Sequence, residues 1–208
     1  MKYKKIDQNL FVQNRKKIFS KIASSDIAIF NANDIMPTNS DGTMPFKQNS
    51  DFFWLTGVDQ EESILVLAPN YPEKNMREIL FLKETNKNIA IWEGAKLSKD
   101  TAFNVSGIKT VYWLHEFDEK LNQLISKSDS VYLNKNNHSR SSSKVQTRDD
   151  RFRLHVADKF PNKKIKEVAP IMHELRAIKS SVEIELMQIA CDITEKGFKR
   201  ILNFVTPG

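Results

Sequence analysis

The stretch Asn39-Ser40-Asp41-Gly42-Thr43-Met44-Pro45-Phe46-Lys47-Gln48-Asn49-Ser50-Asp51-Phe52-Phe53-Trp54-Leu55-Thr56-Gly57 joins two kinds of chain. Its first half continues a segment rich in Asn, Asp, Pro, Ser, Thr and Gly, and residues 32–50 read as one long loop. A loop of that length inside a compact domain points to function or disorder. Its second half, Phe52–Thr56, is a short apolar run and reads as a strand with alternate side chains on opposite sides. Phe46, Phe52, Phe53 and Trp54 are expected to pack. Asn49 and Asp51 are placed to tie the loop down through backbone hydrogen bonds.

Upstream, Asp7 to Ile22 reads as a helix capped by Asp7, with Phe11, Ile18, Phe19 and Ile22 on one face. Asp26–Asn31 reads as a buried strand. Downstream, Ser63–Ala68 and Arg77–Lys83 read as strands, with Ile89–Trp92 a possible further one. Lys99–Ser106 reads as a helix ended by Gly107. Thr110–Leu114 and Ser130–Leu133 read as strands on either side of a helix over 116–127. A basic helix from about Ser143 follows, with Val145, Phe152, Val156 and Phe160 as its apolar stripe. A strand near Ile165–Ala169 follows that helix. The low-complexity stretch Asn134–Ser143 reads as an exposed loop. Strands alternating with helices predict an α/β fold, a mixed β-sheet flanked by helices.

The pattern changes after Pro170. Residues 171–179 form a short helical piece. Ser180 and Glu183 then fit a capping box that opens a long amphipathic helix. We expect a first domain over 1–172, and over 173–208 a linker with the first helix of another domain. Such a helix, left without its domain, is expected to be mobile, swapped or packed in a dimer.

The chain has 208 residues, 40% apolar and 28% charged, with a formal net charge of +6. That composition is globular. The single Cys191 excludes a disulfide framework and a multi-Cys zinc site, and fits a reducing compartment. Six scattered glycines exclude a Gly-rich phosphate loop. There is no apolar run of membrane-spanning length, and none behind the N-terminal charges, so a cytoplasmic protein that makes no membrane contact is expected. Residues 134–166 hold ten basic side chains against three acidic ones. The only aromatics there belong to the apolar stripe, so a solvated basic face is favoured over a nucleic-acid surface.

The search for chemistry ends without a self-sufficient site. His173-Glu174 opens a zinc-peptidase motif, but Ala177 stands where the second His is required. His115, His138, His155 and His173 lack ligand spacing. No nucleophile elbow occurs. Cys191 lies among apolar helix residues and reads as a buried thiol. The pairs Glu61-Glu62 and Asp149-Asp150 read as solvated charge rather than acid/base dyads. No metal-binding set and no catalytic residue is expected within these residues.

The stretch 39–57 and the apolar run after it, Ser63-Ile64-Leu65-Val66-Leu67, resemble the signature of the N-terminal domain of Xaa-Pro aminopeptidases (aminopeptidase P, the creatinase/prolidase type). Ile91-Trp92-Glu93-Gly94 is similar to that family's Trp-x-Gly segment. His173-Glu174-Leu175-Arg176 with Lys179-Ser180 is similar to its interdomain connection. Lys47 replaces the family's Arg, and Pro37-Thr38-Asn39 stands where the family often has another.

The resemblance implies a ribonuclease H-like α/β domain attached to a "pita-bread" catalytic domain. That domain would hold two divalent cations, typically manganese, and all their ligands. It implies a proline-containing peptide as substrate, a dimer or tetramer, and a chain that is inactive by itself. Trp92 would line a substrate entrance, Asp41 would reach the catalytic half, and Arg176 would pair across the junction. On the residues alone, Trp92 could instead fill a core, Asp41 could set an Asx-turn before Gly42, and Arg176 could be an exposed helix cation. A prolidase-type dipeptidase and a non-enzymatic peptide- or histone-binding relative share this architecture.

Overall fold

A computed structural model describes residues 5–135, 140 and 143–206. The chain divides into two compact units, Met1–Met172 and His173–Gly208.

The first unit is built on a six-stranded sheet in the order β4-β3-β2-β1-β5-β6. The strands are β1 (Ile27–Asn31), β2 (Ile64–Leu67), β3 (Glu78–Leu82), β4 (Thr110–Trp113), β5 (Ser130–Leu133) and β6 (Lys164–Glu167). β1 pairs antiparallel with β2 and parallel with β5, so Ile29 faces Val66 on one side and Leu133 on the other. β2–β3 is antiparallel, and β3–β4 and β5–β6 are parallel. Among these strands β2 alone runs against the rest. The mixed sheet with flanking helices is the expected class.

The helices are α1 (Gln8–Phe19), α2 (Ser50–Thr56), α3 (Lys87–Glu93), α4 (Lys99–Ser106), α5 (Phe117–Ser126), α6 (Arg148–Lys159), α7 (Ala169–Ala177) and α8 (Ser181–Phe204). On one sheet face Ile29, Val66, Phe81 and Val131 pack with Phe117, Leu121 and Leu124 of α5 and Val156 of α6. The alternate residues Ala28, Phe30, Leu65, Leu80 and Leu82 are buried as well. Each such burial contributes about 1.5–3 kcal/mol for a large apolar side chain. A sheet buried on both faces reads as continuous apolar runs, as β1, β2 and β3 do.

Two expected strands are helices. Phe52–Thr56 lies in α2. Its start is fixed by Asn49, whose Oδ1 accepts from the amides of Asp51 (2.9 Å) and Phe52 (3.1 Å). Its end is fixed by Gly57 at φ +67°, whose amide returns to the Phe53 carbonyl at 2.7 Å. These caps override the strand propensity of the aromatics. Phe52, Trp54, Leu55 and Thr56 are all buried, so the alternation expected of a strand does not occur. Ile89–Trp92 likewise lies in α3, where Asn86 Oδ1 caps the amides of Asn88 (2.9 Å) and Ile89 (3.0 Å).

Other starts and stops were readable. Asp7 caps α1, Ser98 caps α4, and Gly107 at φ +73° ends α4. α6 starts later than expected, at Arg148, because Thr147 and Asp150 form a capping box. Val145 therefore precedes the helix and is exposed, whereas Val156 is buried and Phe152 and Phe160 pack on the core. His138 and part of the 134–143 loop lie outside the described residues.

The second unit contains the end of α7 and all of α8. Ser180 and Glu183 make the expected capping box. Cys191 is exposed, contrary to the buried reading, because a single amphipathic helix has no partner surface of its own. No helix among the described residues is long and apolar enough to cross a membrane.

Candidate functional site

The loop over 32–49 leaves the carboxyl end of β1. Its arms meet at a bridge between Pro37 and Thr43, and the Met44 amide donates to the Met36 carbonyl at 2.9 Å. At the tip, the Gly42 amide donates to the Asn39 carbonyl at 2.9 Å. Asp41 is exposed on that tip. The hydrogen bond closing the turn is backbone to backbone.

The root of the loop is fastened by Gln48. Its Nε2 donates to the carbonyls of Val58 (3.1 Å) and Gln60 (2.9 Å), and its Oε1 accepts from the amides of Asn33 (3.2 Å) and Asn49 (2.8 Å). All four hydrogen-bonding positions of the amide group are filled. Gln48 stood in the quoted motif, but only the fold reveals what it holds.

Beside this root sits a polar cluster that sequence reasoning missed. Asn31 Nδ2 donates to Asp149 Oδ1 at 3.0 Å, and Asn49 Nδ2 approaches Asp149 Oδ2 at 3.4 Å. Burial pushes the Asp149 carboxyl up, against the lowering effect of its bonds to Asn31 and Asn134. Burial lowers the neighbouring Arg148 guanidinium, although Asp34, Glu62 and Asp149 favour its charge. Asp149 is thus not simply solvated. Glu61 is also buried and paired with Lys96, so the solvated reading fails there too.

Trp92 lies on α3 and is 89% exposed, so neither the strand end nor the core placement applies. The next residue, Glu93, anchors the helix end by an ion pair to Lys83 at 2.9 Å. This hydrogen bond pushes Lys83 up and holds Glu93 below the usual carboxylate range. Arg176 lies in the last turn of α7, in the second unit, where its carbonyl accepts from Lys179 Nζ at 2.7 Å.

The topology brings two candidates to one edge of the sheet. β1 and β3 run the same way, so the loop bearing Asp41 and the segment bearing α3 both leave from the carboxyl ends of strands. That edge is where ligands bind in open α/β sheets.

Among the described residues no group of three or more His, Cys, Asp or Glu could hold a metal. His115 lies 3.6 Å from Glu84, and His155 3.8 Å from Asp118, as surface pairs. The basic segment is in good part engaged: Arg151 pairs with Asp34 (2.6 Å), Lys159 with Asp118 (2.8 Å) and Lys166 with Asp26 (2.6 Å).

Comparison with known proteins gives a consistent result. The Xaa-Pro aminopeptidase of Escherichia coli K12 is 26% identical over 205 residues, covering 98% of this chain and 46% of that protein. The Xaa-Pro aminopeptidase of Haemophilus influenzae is 25% identical, covering 98% and 44%. A solved Bacillus anthracis structure ascribed to aminopeptidase P superposes with a TM-score of 0.83 at 26% identity, covering 93% of this chain and 46% of that one. The chain spans less than half the length of these curated relatives. The sequence profile "Aminopeptidase P, N-terminal domain" matches residues 11–132. With this match over more than half its length, the chain belongs to the family of aminopeptidase P N-terminal domains.

Proposed function

We propose that this chain is the non-catalytic N-terminal part of a metal-dependent Xaa-Pro aminopeptidase. The parent enzyme removes the residue that precedes proline at position 2 of a peptide, works in the cytoplasm, and assembles as a dimer or tetramer. The names of the relatives support the substrate class. The observation that carries the role of this domain is Trp92, a rigid indole held out to solvent on an anchored helix.

The scissile bond explains the need for such a wall. A prolyl nitrogen carries no N–H, so backbone recognition at that bond loses its donor. Shape recognition of the pyrrolidine ring must replace it, and an aromatic face supplies it. In this reading Asp41 reaches the catalytic half of the complete enzyme, and Arg176 pairs with a residue of that half. A pair of divalent cations, manganese in this reading, is held by the catalytic domain and supplies a water of lowered pKa and a polarised carbonyl.

The test uses the complete enzyme and a Xaa-Pro tripeptide. Trp92→Ala should raise KM about three- to tenfold, the loss of roughly one aromatic contact. Unchanged kinetics would remove Trp92 from the entrance. The 208-residue chain with added Mn²⁺ should hydrolyse no more substrate than a metal-free control, and clear turnover would overturn the non-catalytic assignment.

A further inference from the structure

A cleft of about 630 Å³ opens where the loop 32–49 faces the segment leading into α6. It lies beyond the carboxyl ends of the parallel neighbours β1 and β5. Its volume falls within the usual range for ligand pockets. Met36, Met44, Pro45 and Val145 supply apolar wall, and Lys47 and Arg148 supply charge.

The apolar wall is open to solvent. Met36, Met44 and Val145 are 44%, 56% and 63% exposed. The two methionines sit on the paired arms of the loop, joined by the Met44–Met36 backbone bond. Flexible, polarizable Met side chains suit the capture of an apolar side chain.

The charges are unequally used. Asp34 is taken by Arg151 at 2.6 Å, and Asp150 accepts from the Thr147 amide (3.0 Å) and hydroxyl (2.7 Å). Lys47 Nζ has no partner among the described residues. Arg148 makes one long hydrogen bond, 3.5 Å to the Ala32 carbonyl. Asp34, Glu62 and Asp149 act on it only through space. The cleft therefore offers cations whose hydrogen-bonding capacity is unspent, beside an apolar wall. No aromatic ring lines it, which disfavours a nucleobase. Gln146 adds a neutral amide suited to a peptide backbone.

We propose that this cleft binds a short peptide segment by an apolar side chain against Met36 and Met44 and an adjacent carboxylate against Lys47 and Arg148. The inference does not depend on the peptidase assignment, because its readout is binding and not hydrolysis.

The test is a titration of the 208-residue chain, with ¹³C-labelled methionine methyls, by acetyl-Gly-Gly-Leu as the free acid and as the amide. The Met36 and Met44 methyl signals should shift and saturate with the acid. The amide should bind about fivefold or more weakly, the effect of losing one charge-assisted contact. Lys47→Gln should shrink the difference between acid and amide, and Lys47→Gln combined with Arg148→Gln should erase it, with the buried Met172 signal unmoved as a check of the fold. Equal binding of acid and amide, or no shift at either methionine, would overturn the proposal. Shifts that follow protein concentration without peptide would assign the cleft to a second copy and overturn it as well.

Discussion

Asn31, the last residue of the central strand β1, donates to Asp149 in the first turn of α6 at 3.0 Å, across 118 residues of sequence. The acceptor is a carboxyl whose proton affinity burial has raised. Between the ordinary Asp value and the raised one, the folded chain binds more protons than the unfolded chain. Stability from this group is therefore fully present below the ordinary value and falls as pH rises through the raised one. We expect Asp149→Asn to gain stability relative to wild type as pH increases over that window. Urea denaturation of both proteins from pH 3.5 to 7 measures the difference, and a gap that widens in the opposite direction would refute the buried-carboxyl account.

Gly57 and Gly94 differ in the room a side chain would find. Both have positive φ, +67° and +81°. A Cβ on Gly57 would stand 2.2 Å from Cε2 of Phe11, whereas one on Gly94 would meet nothing within 4 Å. Gly94→Ala should cost about 1–3 kcal/mol, from backbone strain alone, because its ψ of 166° puts it in a region only glycine enters readily. Gly57→Ala should cost about 2–4 kcal/mol, since strain and overpacking act together. A Gly57→Ala loss of no more than about 1 kcal/mol in chemical denaturation would show that Phe11 yields freely.

Arg15 is fully buried in α1 and joins three parts of the chain. Its Nη1 donates to the carbonyls of Leu55 (2.8 Å) and Ser106 (2.9 Å), and its Nε pairs with Glu78 at 3.1 Å. Desolvation lowers its pKa, and Glu78 opposes that shift. Arg15→Met should cost about 3–5 kcal/mol, because it strands Glu78 and two carbonyls. Arg15→Lys should recover only a minor part, since one ammonium cannot reproduce the guanidinium fork. Full recovery by lysine would show that charge matters here and geometry does not.

Trp92 should behave in the opposite way. With 89% of the residue exposed, Trp92→Ala should change folding stability by no more than about 0.5 kcal/mol. A larger loss in thermal denaturation would return the indole to a packing role and undercut its place at the entrance.

Much of the fold was legible because local signals and burial agreed. The capping box at Ser180, the Gly107 stop and the apolar stripe Phe117, Leu121, Leu124 and Ile125 of α5 needed no tertiary knowledge. α2 was misread because Phe52-Phe53-Trp54-Leu55 suits a buried strand and a buried helix alike. The Asn49 and Gly57 caps held the deciding information on either side of it. Arg15 and Asp149 were illegible for another reason. Each is an ordinary charged residue on a helix until the acceptors at 55 and 106, or the donors at 31 and 49, are brought to it. Candidate site residues named by resemblance, Asp41 and Trp92, turned out exposed at one sheet edge, but the adjoining polar cluster gave no sequence signal.

The sheet order also dictates a sequence of assembly. Ile29 on β1 finds Val66 soon after it is made, and β3 closes onto β2 next, so a three-stranded meander can form from the first 82 residues. The other side of β1 waits for Leu133. During synthesis the central strand of the finished sheet is thus an open edge, rich in Ile and Phe, for the time needed to make α3, α4, β4 and α5. An open apolar edge recruits other chains. Until β5 is made, the chain supplies no strand for that side of β1.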